Sequence, residues 1–183
     1  MKHKNVISVS TFKTPLGCMF ACATKKGVSQ LQFTNSKTPE SMFKDLAKRL
    51  DAVILSEKNP FLIQIEEEIL EYFDGTRKDF SIPLDIPGTE FQKAVWEMLK
   101  GIPYGETRSY KQQAHLLGKP EAIRAVASAN GMNKVAIVIP CHRVIGADGS
   151  LTGYAGGLAK KRWLLDHEKK HSGRAVQSRI EFI

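Results

Sequence analysis

The stretch SYKQQAHLLGKPEAIRAVASANG, residues 109–131, places two short helical runs on either side of a Gly-Lys-Pro turn. Gly118 suits the end of the first run, and Pro120 suits the start of the second, where a fixed φ and a missing N–H are tolerated. Two helices joined this tightly read as a helix-turn-helix. Helix pairs with short turns also occur in all-α proteins, so the geometry alone leaves DNA binding as one of two readings. In the second helix Ala125, Ala127, Ser128 and Ala129 surround the single Arg124, leaving a face with almost no side-chain bulk. A slim face could approach the minor groove, about 6 Å wide, with Arg124 entering the groove or the base stack. It could equally allow close helix packing inside the domain.

Upstream, TEFQKAVWEMLKGI at 89–102 reads as a further helix, with Thr89 as cap and Gln92 completing a capping box. Downstream, VAIVI at 135–139 is short, β-branched and uncharged, which predicts a buried strand stopped by Pro140. Cys141, His142 and Arg143 follow that break. Towards the N-terminus the first 34 residues read as a β-meander with turns at TPLG and KKG. Helices are expected over 39–51 and 59–75, and the two-proline segment FSIPLDIPG at 80–88 reads as a linker.

The chain has 183 residues, 42% of them hydrophobic, enough for one domain or two small ones. No apolar run approaches the ~20 residues of a membrane span, and MKHKNVISVSTF lacks the apolar block of a signal peptide, so a cytoplasmic protein is expected. Residues 1–86 hold 12 Lys/Arg against 11 Asp/Glu and residues 87–183 hold 15 against 8, so +7 of the net +8 lies in the second half. A localised basic excess fits a polyanion partner, although solvated surface lysines would give the same count.

Three cysteines in a reducing compartment do not make a disulfide scaffold. Cys18 and Cys22 read as core thiols, and no CxxC or nearby histidine pair supports a metal site. Cys141 differs, because His142 adjoins it and WLLDHE supplies His167 and Glu168. A thiol needs a base or a cationic neighbour to attack at neutral pH. His142 could serve, through a water, with Glu168 orienting its ring.

The run IPCHRVIGADGSLTGYAGGLAKKRWLLDHE at 139–168 resembles the O6-alkylguanine-DNA alkyltransferases, the methylated-DNA–protein-cysteine methyltransferases. The segments TEFQKAVWEML, GETRSY and IRAVASANGMN extend the resemblance across the second half, and TPLG and YFDG carry it more loosely into the first. The resemblance implies an α+β fold: a ribonuclease-H-like mixed α/β domain at 1–86, a winged helix-turn-helix alkyltransferase domain at 87–171 and a tail at 172–183. It implies that Cys141 accepts an alkyl group from O6-alkylguanine, with O4-alkylthymine as a second candidate, irreversibly and once per molecule.

His142 and Glu168 would form the activating chain and Asn133 would brace the intervening segment. Tyr110 would donate toward guanine N3. Arg124, on the slim helix with Ala125, Ala127, Ser128 and Ala129, would fill the stack left by a flipped nucleotide. The carbonyls of Cys141 and Val144, together with Tyr154, Ala155, Gly156 and Lys161, would line the base pocket. No cofactor and no metal are expected, and the partner would be double-stranded DNA read from the minor groove by a monomer. Ala155 departs from relatives with serine there, and the tail past Glu168 exceeds the family motif. A Cys-His hydrolase and a non-catalytic lesion-binding module are the rival readings; lesion-binding relatives replace the acceptor, commonly with tryptophan, whereas Cys141 is present.

Overall fold

Alternating apolar and polar residues give the first half a sheet with two covered faces. The computed structural model describes residues 5–34, 40–41, 43–44, 47, 51–55 and 59–173. Strands β1 (Asn5–Thr14), β2 (Gly17–Ala23) and β3 (Val28–Phe33) form the expected antiparallel meander. The turn between β1 and β2 closes where Thr14 Oγ1 donates to Gly17 O at 2.7 Å and Gly17 takes a φ of +111°. A fourth strand, β4 (Ala52–Leu55), runs parallel to β1, giving a mixed sheet of order β3-β2-β1-β4. The sequence reading had no strand there. The helix expected over 39–51 lies largely outside the described residues, as does the tail beyond Gly173.

Helix α1 (Pro60–Phe73), capped by the Asn59 side chain, lays Leu62, Ile65, Ile69, Tyr72 and Phe73 against one face of the sheet. The opposite face packs Ile7, Val9, Phe20 and Cys22 against Phe43, Ala52 and Ile54. In the second half, α2 (Glu90–Lys100) has the predicted Thr89–Gln92 capping box. Helices α3 (Tyr110–Leu116) and α4 (Ile123–Gly131) form the helix-turn-helix, with Pro120–Ala122 adding a 3-10 turn before α4. A two-stranded parallel sheet, β5 (Arg108–Ser109) with β6 (Val144–Ile145), and α5 (Leu158–His171) complete the fold. Among the described residues no helix is long and apolar enough to cross a membrane.

One expectation is refined and another fails, for a shared reason. Segment 80–88 is extended as expected, but it is pinned to β3: Val28 N–H donates to Pro83 O and Asp85 N–H to Val28 O, both at 2.9 Å, while Thr24 Oγ1 donates to Asp85 Oδ2 at 2.6 Å. Segment 135–139 is buried but is not a strand. Only Val135 bridges to Leu31, through Leu31 N–H to Lys134 O and Ala136 N–H to Leu31 O at 2.8 Å. Beyond it the chain curls, with Val138 N–H bonded to Ala136 O at 2.9 Å and Ile139 N–H to Val135 O at 3.0 Å. The edge of β3 thus takes two short pieces of the second half, each too brief to announce itself by periodicity. Burial and β-branching are common to a strand and to this apolar turn.

Helices α3 and α4 are locked by a buried amide pair. Asn130 Nδ2 donates to Gln113 Oε1 at 2.9 Å and Gln113 Nε2 donates back to Asn130 Oδ1 at 3.4 Å. Replacing Asn130 by Ala should cost about 1–3 kcal/mol, since it strands a buried amide. Adding Gln113→Leu should recover part of that loss. Denaturant unfolding of the two single variants and the double variant measures the coupling; additive losses would show that the pair does not act as a unit.

Candidate active site

The thiol sits on a tightly held turn. Cys141 opens a 3-10 turn, Cys141–Arg143, directly after the curl at 136–139. Ile137 has a φ of +73°, a left-handed conformation that is costly for a β-branched residue and persists only where its surroundings impose it. Asn133 does much of the imposing. Its Oδ1 accepts from Val135 N–H at 2.9 Å, and its Nδ2 donates to Ile139 O at 2.8 Å and to Cys141 Sγ at 3.2 Å. Asn133 thus ties Val135 to Ile139 across the curl and reaches the sulfur itself.

The next two side chains point to one buried carboxylate. His142 Nε2 lies 2.6 Å from Glu168 Oε1, while Arg143 Nε meets Oε2 at 2.8 Å and Nη2 meets Oε1 at 3.1 Å. Tyr72 Oη donates to Oε1 at 2.8 Å and Gly105 N–H to Oε2 at 3.0 Å. Burial pushes the Glu168 carboxyl up, but the His142 and Arg143 interactions outweigh it and hold the group at about 2. Burial pulls His142 below the usual imidazole range, against the pull of Glu168. It pushes the Cys141 thiol up, against the Asn133 hydrogen bond and the Lys161 charge. Both shifts favour a neutral thiol and a neutral imidazole at neutral pH. With Nε2 committed to Glu168, His142 Nδ1 has no hydrogen-bond partner among the described residues, and it is the nitrogen left for proton exchange.

A loop and a lysine form the other wall. Lys161 is fully buried, and its Nζ donates to Val144 O at 2.5 Å, to Thr152 O at 2.6 Å and to Gly153 O at 3.4 Å. Burial brings this amine down to about 8, with Cys141 opposing the shift. Lys161 therefore fastens the 152–153 loop to β6, and it already occupies one acceptor position of Val144. Tyr110 Oη donates to Thr152 O at 3.3 Å. Tyr154 stands edge-on to the His142 ring, centroids 6.5 Å apart, and its buried hydroxyl has no partner among the described residues. Cys141, Asn133, Tyr154, Ala155 and Gly156 line a cavity of about 140 Å³ with Gln32, Phe33, Asn130 and Ala136. A Cβ on Gly156 would come within 2.7 Å of the Tyr154 ring, so that glycine keeps the loop close.

A second cleft opens on the far side of Tyr154 and Ala155, where Arg124 and Ala127 of α4 meet Tyr110 and the 152–155 loop. Arg124, Ala125 and Ser128 are exposed and Ala127 is half-buried. Ala129 corrects the slim-face reading: it is buried, and its carbonyl accepts from Trp96 Nε1 at 2.9 Å. Its small size serves packing of α4 on α2, because a helix of nine residues cannot turn every alanine outward.

Comparison with known proteins meets this geometry at both ends of the chain. The model of the ribonuclease-like domain of 6-O-methylguanine DNA methyltransferase matches residues 7–86, and that of its DNA-binding domain matches residues 90–170. The chain belongs to the O6-alkylguanine-DNA alkyltransferase family. It is 45% identical over 153 residues to the inducible methylated-DNA–protein-cysteine methyltransferase of Bacillus subtilis, covering 84% of this chain and 85% of that one. It is 42% identical over 160 residues to the methylated-DNA–protein-cysteine methyltransferase of Methanosarcina barkeri, covering 87% and 95%. The crystal structure of Mycobacterium tuberculosis OGT in complex with DNA superposes with a TM-score of 0.76 at 37% identity, covering 91% of this chain and 94% of that one.

Within this family fold, sequence reasoning missed Tyr72, Arg143 and Gly105 as partners of Glu168. Arg143 stood in view beside His142, yet an arginine next to a motif reads first as surface charge. Tyr72 and Gly105 gave no signal, since they lie 96 and 63 residues from the carboxylate they bond.

Removing the charge of Glu168 should be felt first as instability. Glu168→Gln leaves the guanidinium of Arg143 buried without a counter-charge, a loss of about 3–5 kcal/mol in denaturant unfolding. The carboxyl is held at about 2 against an ordinary 4.5, so its stabilisation is complete above pH 4.5 and fades as pH falls toward 2. That portion of the acid loss should be absent from the Gln variant.

Proposed function

We propose that this protein repairs O6-alkylguanine in double-stranded DNA by moving the alkyl group onto Cys141, once per molecule, as a methylated-DNA–protein-cysteine S-methyltransferase. The single observation that carries the reading is the Asn133–Cys141–His142–Glu168 arrangement, a half-buried thiol held by one hydrogen bond beside an imidazole backed by a buried carboxylate. Family membership supports the chemistry, and the DNA-bound M. tuberculosis structure supports DNA as the partner.

In this reading Cys141 Sγ attacks the alkyl carbon, a sulfur–carbon bond forms and the carbon–O6 bond breaks. The thiol proton passes to His142, whose Nε2–H remains on Glu168. The electron pair leaves with guanine, and Tyr110 turns its hydroxyl from Thr152 O to the departing base as negative charge grows there. Burial raises the Tyr110 phenol, which keeps it a donor. The product is a thioether, with no activated carbon for water to attack, so the thiol is not regenerated. O4-alkylthymine presents the same alkyl carbon and is a second candidate lesion.

The target atom is out of reach in a stacked duplex, so the nucleotide is extruded toward the 152–155 loop, at a cost of a few kcal/mol. Exposed Arg124, with the small Ala125, Ala127 and Ser128 beside it, is suited to the minor groove and to the vacated stack. We assign the working units as 1–86, 87–171 and a tail at 172–183, acting as a monomer in the cytoplasm with no metal or cofactor.

Incubation with duplex DNA carrying a labelled O6-methyl group should move label onto the peptide containing Cys141, one per molecule. Cys141→Ser should lose at least a hundredfold in single-turnover rate while still binding the lesion, because a hydroxyl is the poorer nucleophile. Turnover beyond one equivalent would favour a hydrolase, and binding without transfer would favour a lesion sensor.

Arg124→Ala should slow transfer from duplex DNA by about tenfold or more, the loss expected if several kcal/mol of extrusion are partly offset by this side chain. Transfer from free O6-benzylguanine should change little, since that base has no stack to leave. Equal losses on both substrates would place Arg124 in the pocket or the fold instead.

A further inference from the structure

Tyr72 lies on α1, in the half matched by the ribonuclease-like domain, and the proposed chemistry lies in the other half. Yet its hydroxyl reaches the carboxylate that backs the imidazole. Tyr72 is fully buried, and its Oη donates at 2.8 Å to Glu168 Oε1, the oxygen that also takes His142 Nε2 at 2.6 Å. We propose that Tyr72 is a positioning residue for alkyl transfer, one that shares Glu168 Oε1 with His142 and so sets how strongly the carboxylate holds the imidazole. The proposal rests on the transfer chemistry set out above.

The ring of Tyr72 is held independently of that bond. Phe73, Phe80, Tyr104 and His167 surround it, with centroids 5.4–6.0 Å away. Its backbone carbonyl accepts from His167 Nε2 at 2.8 Å. The hydroxyl is thus delivered to the carboxylate by packing, and it stays a donor, because burial and the Glu168 charge push its ionisation well above the ordinary tyrosine range.

Among the described residues, further titratable and charged groups lie near this pair. They are Tyr104 on the loop after α2, Cys141 and Arg143 on the turn of His142, Tyr154 on the loop before α5, and Lys161 and His167 on α5. Among them Arg143 shares Oε1 with Tyr72 and His142. Each donor on one carboxylate oxygen draws electron density from it and weakens its hold on the others. Tyr72 therefore moderates the pull of Glu168 on the imidazole and helps keep the ring neutral, the form that can take a proton.

Single-turnover transfer from methylated duplex DNA, followed across pH, tests this in the full chain. The endpoint counts active molecules, so the rate per active molecule is separated from any loss of folded protein. In Tyr72→Phe the freed oxygen should bind Nε2–H more strongly. The acid limb of the rate profile, and the His142 imidazole titration followed by ¹⁵N NMR, should then move up by about 0.5–1 pH unit. Below that limb the rate should fall about 3–10-fold. A fluorinated tyrosine at position 72, a stronger donor of the same shape, should move both downward, and it serves if the Phe variant yields too few active molecules.

Tyr104→Phe is the control, because that hydroxyl is buried nearby with no partner among the described residues. It should leave the limb in place. Profiles for Tyr72→Phe and the fluorinated chain that superimpose on wild type, flat ones included, would overturn the proposal, as would an equal shift in Tyr104→Phe. Absence of transfer by the wild-type chain would instead overturn the proposed function.

Discussion

A carboxylate shut away from water persists as an anion only where fixed donors replace its hydration, and Glu168 has five of them. They come from α1, from the loop after α2 and from the turn that follows Cys141, while the carboxylate itself rides on α5. Four segments distant in sequence must therefore converge for one charge to be buried. The bidentate Arg143 supplies the countercharge, which leaves His142 beside an already neutralised acid. That difference separates this arrangement from a bare acid–histidine pair, in which the acid would draw the imidazole into its charged form.

The second constraint is the outer edge of β3. An edge strand exposes unpaired backbone groups, and here they are met by residues 83–85 and 134–136. Pairing with the second piece sets Asn133 and Val135 in place. Asn133 then spends its amide on the curl behind the thiol, where Ile137 is held at positive φ. The sheet thus fixes the start of the turn and Glu168 fixes its end, with Cys141 between two anchors. Burial of Ile137 and Ile139 at 1% exposure keeps that curl inside one core shared by both halves of the chain.

What could be read from sequence follows from interaction range. The meander, the Thr89–Gln92 capping box and the helix-turn-helix all depend on residues within a few positions of each other, and all are visible in composition and spacing. Strand β4 was hidden because four residues give too little pattern, and 135–139 was misjudged because an apolar turn and an apolar strand share a composition. The small size of Ala129 suggests an outward position, but its helical phase turns it inward. In the site, Cys141, His142 and Glu168 are legible as a thiol, an adjoining base and a downstream acid, whereas Asn133 comes only from the motif resemblance. Arg143, Tyr72 and Gly105 are bound to Glu168 by tertiary contacts that leave no local trace. The hydrogen bonds of Lys161 Nζ go to the backbone of β6 and of the 152–153 loop, contacts that no local pattern announces.

A protein that spends its nucleophile once gains from keeping it quiet until the right alkyl group arrives. Burial does this, by raising the thiol and lowering the imidazole so that neither is charged at rest. A permanently exposed thiolate would react with any electrophile or oxidant in solution. Deprotonation is favourable only when negative charge can flow on to a leaving group, and in the proposed chemistry that group is the guanine held beside Tyr110. The Lys161 amine, brought down only to about 8 by burial, still carries its charge at neutral pH, and that charge favours a thiolate at Cys141. The same lysine clamps the 152–153 loop, so the charge that faces the sulfur also holds the pocket wall in place. The low dielectric that makes the resting thiol inert thus strengthens every interaction that forms once attack begins.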